Sequence, residues 1–230
     1  MSPRDVVIIE SGGANIASLQ FALERLRIAS SVSADADRIR AATHVILPGV
    51  GAAADAMQRL RAAHLDGVIP RLSQPVLGIC LGMQLLHEAS AEGSTTCLGV
   101  IPGRAERFEN SPGHPVPHIG WNTLAIAARS ALLEGITDDD YAYFVHSFAL
   151  PTSFATVATT VYGKPFSACV QWRNFFGAQF TPSARRPSVR ACCAISWTCD
   201  DRLGGTIARA PHSLHRPSCR PLCASAARRF

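Results

Sequence analysis

Apolar residues along the first third of the chain fall into a repeated pattern of strand, turn and helix. Residues 6–10 form an apolar run ending in Ser-Gly-Gly; behind a capping Asn15, Ile16, Leu19, Leu23 and Leu26 then recur at helical spacing. The pattern returns at residues 44–47, followed by Pro48-Gly49-Val50-Gly51 and a helical stretch over 52–65. It returns again at 75–79, followed by Cys80 and a helical stretch over 81–90. The strand segments are apolar without alternation, as in a parallel sheet covered on both faces. From Leu98 onward the texture shifts to shorter strands at 104–108, 121–124, 142–148, 155–162, 167–172 and 175–180, which predicts a hairpin-rich half attached to the same sheet. The expected fold is a three-layer α/β domain with a mixed, largely parallel sheet over residues 1–180. After Phe180 neither period survives, and Arg, Ser, Pro, Ala and Cys follow in no amphipathic order.

Composition sharpens that boundary. With 230 residues, 47% hydrophobic and 17% charged, the chain can bury one substantial core and does not read as disordered. No apolar run reaches the ~18 residues of a membrane span, and the N-terminus does not resemble a signal peptide, so a cytoplasmic protein is expected. The formal net charge of +5 is unevenly placed. Residues 1–180 hold 13 Lys+Arg against 15 Asp+Glu, whereas residues 181–230 hold 9 Arg against 2 Asp, so the whole positive excess lies in the last segment. That segment also holds five of the eight cysteines, Cys192, Cys193, Cys199, Cys219 and Cys223. Without a sign of secretion, Cys80, Cys97 and Cys169 read as reduced thiols.

The strongest chemical signal is Val76-Leu77-Gly78-Ile79-Cys80-Leu81-Gly82-Met83-Gln84. An apolar strand running into Gly-x-Cys-x-Gly and then a helix is the geometry of a nucleophile elbow, in which the reactive side chain sits on a strained turn. The following helix N-terminus favours the thiolate, the reactive form. On the motif alone a buried structural cysteine remains an alternative. Gly12-Gly13-Ala14-Asn15 could hold an anion at a helix start, but reads more simply as a βα turn. His44, His64, His87 and His114 read as structural or solvated, and the spacing of His118, His146 and Trp121 makes no metal site.

These segments resemble the class I (triad) glutamine amidotransferases and, within them, the glutaminase-subunit family of imidazole glycerol phosphate synthase. The resemblance covers about residues 5–180. Residues 78–84 match the nucleophile motif of the class, and Leu47-Pro48-Gly49-Val50-Gly51 matches its oxyanion strand. Val116-Pro117-His118-Ile119-Gly120-Trp121-Asn122 and Tyr143-Phe144-Val145-His146-Ser147-Phe148 match the narrower family. The resemblance implies a flavodoxin-like α/β/α domain in which Cys80 attacks the side-chain amide of L-glutamine to form a glutamyl thioester. Backbone N–H groups around Gly49, Gly51 and Leu81 would hold the oxyanion, Gln84 would bind substrate, and the backbone at Ser147 and Phe148 would take its amino-acid end. His118, His146 and Trp121 would lie near the partner interface or the glutamine pocket. Ammonia would pass to a partner cyclase subunit, a (βα)8 barrel, in histidine biosynthesis, with no cofactor, metal, nucleic acid or membrane involved. A non-catalytic binding subunit of the same complex, or another enzyme of the class, are the alternatives.

The chain departs from the family where the triad should be completed. The class requires His-Pro-Glu after the Phe that closes the last strand, and here Phe180 is followed by Thr181-Pro182-Ser183. The general base and its orienting carboxylate are replaced by Thr181 and Ser183. One missing nucleotide accounts for the whole change: back-translated with GC-rich codons and given one C before codon 181, the segment reads HPERAPAVGARLLRNFLDL and then a stop. Residues 181–230 are therefore expected to be an out-of-frame, disordered tail, and this chain to be an impaired glutaminase. A small metal module built on His212, His215 and the tail cysteines, or a nucleic-acid arm built on its arginines, are rival readings with no regular spacing behind them.

Overall fold

The computed structural model describes residues 5–12 and 16–180. In chain order the elements are β1 (Val6–Ile9), α1 (Ile16–Arg25), β2 (Ser30–Ser33), α2 (Ala36–Ala41), β3 (His44–Gly49), α3 (Ala53–Ala62), β4 (Val76–Cys80) and α4 (Leu81–Leu85). There follow β5 (His87–Ser90), β6 (Thr95–Thr96), β7 (Ile101–Arg107), β8 (His118–Thr123), β9 (Ala125–Ile126), β10 (Tyr141–His146) and β11 (Phe148–Ala149). The last described strands are β12 (Thr156–Tyr162), β13 (Lys164–Trp172) and β14 (Phe175–Ala178). The capping role expected of Asn15, most of the Gly12–Gly13–Ala14–Asn15 turn, and every expectation for residues 181–230 lie outside the described residues.

An eight-stranded sheet in the order β2-β1-β3-β4-β14-β13-β12-β9 forms the centre. Its first five strands pair in parallel, and β14, β13, β12 and β9 pair antiparallel, giving the expected mixed α/β sheet. Because β1 and β4 are buried on both sides, successive residues supply opposite cores. On one face Val7, Ile9 and Val76 pack with Ile39 of α2, Met57 and Leu60 of α3, and Met83 of α4. On the other, Val6, Ile8, Leu77 and Ile79 pack with Leu23 of α1, Phe144 of β10 and Phe180.

Three features differ from the sequence expectation. The helix expected over 81–90 ends at Leu85, and His87–Ser90 is instead a strand, paired in parallel with β7 and antiparallel with β6. The second half does not all join the central sheet: β9 and β12 to β14 do, while β5, β6, β7 and β11 form a separate four-stranded sheet and β8 and β10 a two-stranded ribbon. Strand β2 and helix α2 carry no apolar period strong enough to announce them, β2 being a half-buried edge strand of sequence Ser-Ser-Val-Ser.

Polar contacts fasten the start of β1. The Asp5 N–H donates to Thr43 Oγ1 at 2.9 Å, and the same hydroxyl donates to the Asp5 carbonyl at 2.9 Å. Arg38 of α2 grips the Asp5 carboxylate with two bonds of 2.7 and 2.6 Å, a bidentate pairing of fixed geometry.

Candidate active site

Cys80 ends β4 and adopts φ 55° and ψ −114°, a left-handed-side conformation that a residue with a Cβ takes up only when its surroundings enforce it. Three close approaches enforce it. A Cβ on Gly78 would stand 2.7 Å from the Gly82 carbonyl oxygen, and one on Gly82 would run into the Leu47 carbonyl oxygen. A Cβ on Gly177 would lie 2.6 Å from Met83 Cγ. Glycine at these positions lets α4 settle directly on β3, β4 and β14, so the chain must turn sharply at Cys80, a half-buried residue.

Gly49 pairs in register with Cys80 at the end of the neighbouring strand, bringing the glycine-rich strand end beside the elbow. Gly51 follows it at φ 84°, a conformation suited to glycine, with Val50 between them exposed. Burial pushes the Cys80 thiol up from its ordinary value, opposed in part by the Leu81 N–H and the Gln179 amide at the sulfur. Since α4 has only five residues, the single N–H of Leu81 takes the part expected of a long helix dipole.

Gln84 is buried on α4 and turns its side chain away from solvent. Its Nε2 donates to the Phe148 carbonyl and to Gln179 Oε1, both at 2.9 Å, and Gln179 Nε2 in turn donates to Cys80 Sγ at 3.6 Å. Phe148, in β11, thereby joins the elbow through its carbonyl, while the Ser147 carbonyl accepts the Phe108 N–H. Cys80, Gly49, Leu81, Gln84 and Phe148 are thus assembled in one place. Thr181 and Ser183 lie outside the described residues. No motif in the sequence marks Gln179; its one signal there is a polar residue inside the otherwise apolar run 175–180.

His118 and His146 are buried behind this assembly, among Phe108, Phe144, Tyr162 and Phe166. A carbonyl can only accept, so His146 Nδ1 donates to the Phe148 oxygen at 2.8 Å, and His146 Nε2 accepts from His118 Nδ1 at 3.2 Å. Trp121 lies on the opposite, exposed face of the β8–β10 ribbon, edge-on to Tyr143 at 5.4 Å. Among the described residues no group of three or more His, Cys, Asp or Glu could hold a metal ion. No described helix is long and apolar enough to cross a membrane.

Burial lowers His87, His118 and His146 from 6.5 to about 4 each. The unfolded chain therefore binds protons that the folded chain refuses, so the stability these groups confer is complete above pH 6.5 and is lost as pH falls towards 4. A histidine titrating alone with such values would destabilise the fold by about 2 kcal/mol at pH 5 relative to neutrality, and the bonded His118–His146 pair by less than twice that. Urea unfolding at pH 7.5 and pH 5 reads this directly; an unchanged midpoint would contradict the buried, neutral assignment.

A thiol on a strained strand-to-helix turn, beside a glycine-rich strand end and inside a mixed α/β sheet, defines an enzyme of the nucleophile-elbow type. The chain belongs to the class I glutamine amidotransferase family, whose sequence profile matches residues 7–187. Its relatives narrow the class. It is 48% identical over 178 residues to the imidazole glycerol phosphate synthase subunit HisH of Idiomarina loihiensis, covering 77% of this chain and 89% of that one. It is 44% identical over 185 residues to the HisH subunit of Vibrio cholerae, covering 78% and 91%. Two solved glutamine amidotransferases share the fold. One superposes with a TM-score of 0.61 at 17% identity, over 77% of this chain and 89% of that one. The other, from Thermotoga maritima, has a TM-score of 0.55 at 16% identity, over 79% and 76%.

Proposed function

We propose that this chain is built as the glutaminase subunit of imidazole glycerol phosphate synthase, working in the cytoplasm and in histidine biosynthesis. The observation that carries this reading is the Cys80 elbow with Gly49 in register beside it, in a chain so similar to HisH subunits. Cys80 Sγ attacks the carboxamide carbon of glutamine, the C–N bond breaks, and ammonia leaves with a proton that the general acid must supply. Water then cleaves the thioester to give glutamate. Backbone N–H groups near Gly49, Gly51 and Leu81 face the developing oxyanion, and Gln84 with the Ser147–Phe148 backbone bounds the substrate pocket.

The sequence also carries a reason for impairment. Thr181 and Ser183 stand where the class has its base and carboxylate, and a one-nucleotide loss before codon 181 explains them together with the altered charge of residues 181–230. The match to HisH leaves nearly a quarter of this chain unaligned, in keeping with a foreign segment. The domain thus spans residues 1–180 and the remainder is an out-of-frame tail without a role in chemistry. A glutaminase assay with the cyclase, comparing this chain with its frame-corrected form, tests both statements.

The second reading is a subunit that docks without catalysing, and a separate observation supports the docking. Ile119, Trp121, Tyr141, Tyr143 and Val145 all point outward from one face of the β8–β10 ribbon, Ile119 and Val145 being cross-strand partners. So large an apolar face suits a partner protein, here the cyclase barrel. Trp121→Ala is expected to weaken binding to the cyclase about 30-fold, as loss of an aromatic anchor of roughly 2 kcal/mol would. Calorimetry on this chain and the variant measures it, and equal affinities would place the interface elsewhere.

A further inference from the structure

The chemistry of the amides around Cys80 determines their orientation. The Phe148 carbonyl accepts only, so the Gln84 atom 2.9 Å from it is the amide nitrogen. That same nitrogen stands 2.9 Å from a side-chain atom of Gln179, which must then be the oxygen. The amide nitrogen of Gln179 is left facing the sulfur at 3.6 Å. Its main-chain N–H is bonded to the Ala168 carbonyl at 2.9 Å, so neither end of the residue is free to turn. Gln179 is 1% exposed, so its amide is shielded from bulk solvent.

We propose that Gln179 is the positioning residue of the nucleophile: its amide, held by Gln84 and the Phe148 carbonyl, donates to Cys80 Sγ, fixes the thiol's rotamer and stabilises the thiolate. The proposal rests on the reading of Cys80 as nucleophile. A donor on the sulfur counters the burial that disfavours its charge. The arrangement explains why a glutamine is kept inside an apolar strand end, where an unpaired amide would be costly. It also gives Gln84 two tasks, bounding the pocket and orienting Gln179. His146 steadies the shared Phe148 carbonyl from behind, through its 2.8 Å bond.

The test follows the rate at which iodoacetamide alkylates Cys80 in the full-length chain as a function of pH. The Cys80 peptide is quantified by mass spectrometry, so that the other seven cysteines do not contribute. Gln179→Met keeps the length and removes the donor; the apparent thiol pKa is expected to rise by about one unit, a tenfold loss of thiolate below it. Gln84→Met leaves Gln179 in place but unheld, and is expected to shift the profile the same way by less, which keeps the test available should the first variant not fold. A folded Gln179→Met protein with the unaltered profile would overturn the proposal. The readout needs no glutamine turnover, so a shifted profile in a chain whose frame-corrected form hydrolyses no glutamine would uphold Gln179 while removing the assigned reaction.

Discussion

With the reading frame restored from codon 181, so that His-Pro-Glu follows Phe180, glutamine hydrolysis in the presence of the cyclase is expected to exceed that of this chain by on the order of 10⁴-fold. The size follows from what Cys80 lacks. A free thiol is only a few per cent ionised at neutral pH, and burial pushes this one further towards the neutral form. The Leu81 N–H and the Gln179 amide can stabilise a thiolate, but neither can take the proton of the thiol nor deliver one to departing ammonia. The Cys80→Ala variant completes the comparison. In the frame-corrected chain it should remove nearly all activity, whereas here it should change little, because groups that act as a unit are not additive. Comparable turnover by the two parent chains in a coupled glutamate assay would contradict the loss of the base.

The largest effect on stability is expected at Gly82. Its added Cβ would collide with the carbonyl of Leu47, and Leu47 belongs to a central parallel strand bonded on both sides, with no room to retreat. Overpacking typically costs 1–3 kcal/mol, and with backbone as the obstacle Gly82→Ala should lose about 3 kcal/mol or more. That is a large part of the 5–15 kcal/mol of an ordinary domain. Gly177→Ala is the control. It presses mainly on Met83 Cγ and Val170 Cγ2, side-chain atoms that can shift, and should cost roughly 1 kcal/mol. Urea unfolding of the two variants decides it. A Gly82→Ala protein within about 0.5 kcal/mol of the parent would show that α4 does not rest on the strand as described.

How far the sequence revealed this depends on the kind of signal each part carries. Strands β1, β3 and β4 are continuous apolar runs bounded by glycine and proline, so their existence, their parallel pairing and the thiol at the end of β4 could be read directly. Strand β2 could not, because an edge strand is not obliged to be apolar; its sequence Ser-Ser-Val-Ser has no period. Helix α2 is short, and its clearest local mark is Asp35, whose side chain accepts the Arg38 N–H at 2.6 Å. The segment 81–90 misled because Leu85, Leu86 and the buried His87 and Ser90 satisfy a helical pattern, whereas pairing with β7 and β6 holds the second half extended. Within the site, Cys80, Gly49 and Gln84 stood out through a compact motif. Gln179 lies 99 residues from the cysteine it contacts, and only the sheet order that sets β14 against β4 brings them together.

The four residues Val-Val-Ile-Ile of β1 are all fully buried, alternating between two cores of similar character. A slip of one residue would exchange the faces of the apolar residues, which differ little in character, and would also carry Asp5 or Glu10 into a slot where Val6 or Ile9 is now fully buried. The choice falls to the polar ends of the strand. Only one alignment places Asp5 between the Thr43 hydroxyl and the Arg38 guanidinium. A partly exposed ion pair that adds little to stability therefore helps to select which side of the sheet each residue of β1 faces, and Asp5→Ala should cost structural uniqueness more than it costs free energy.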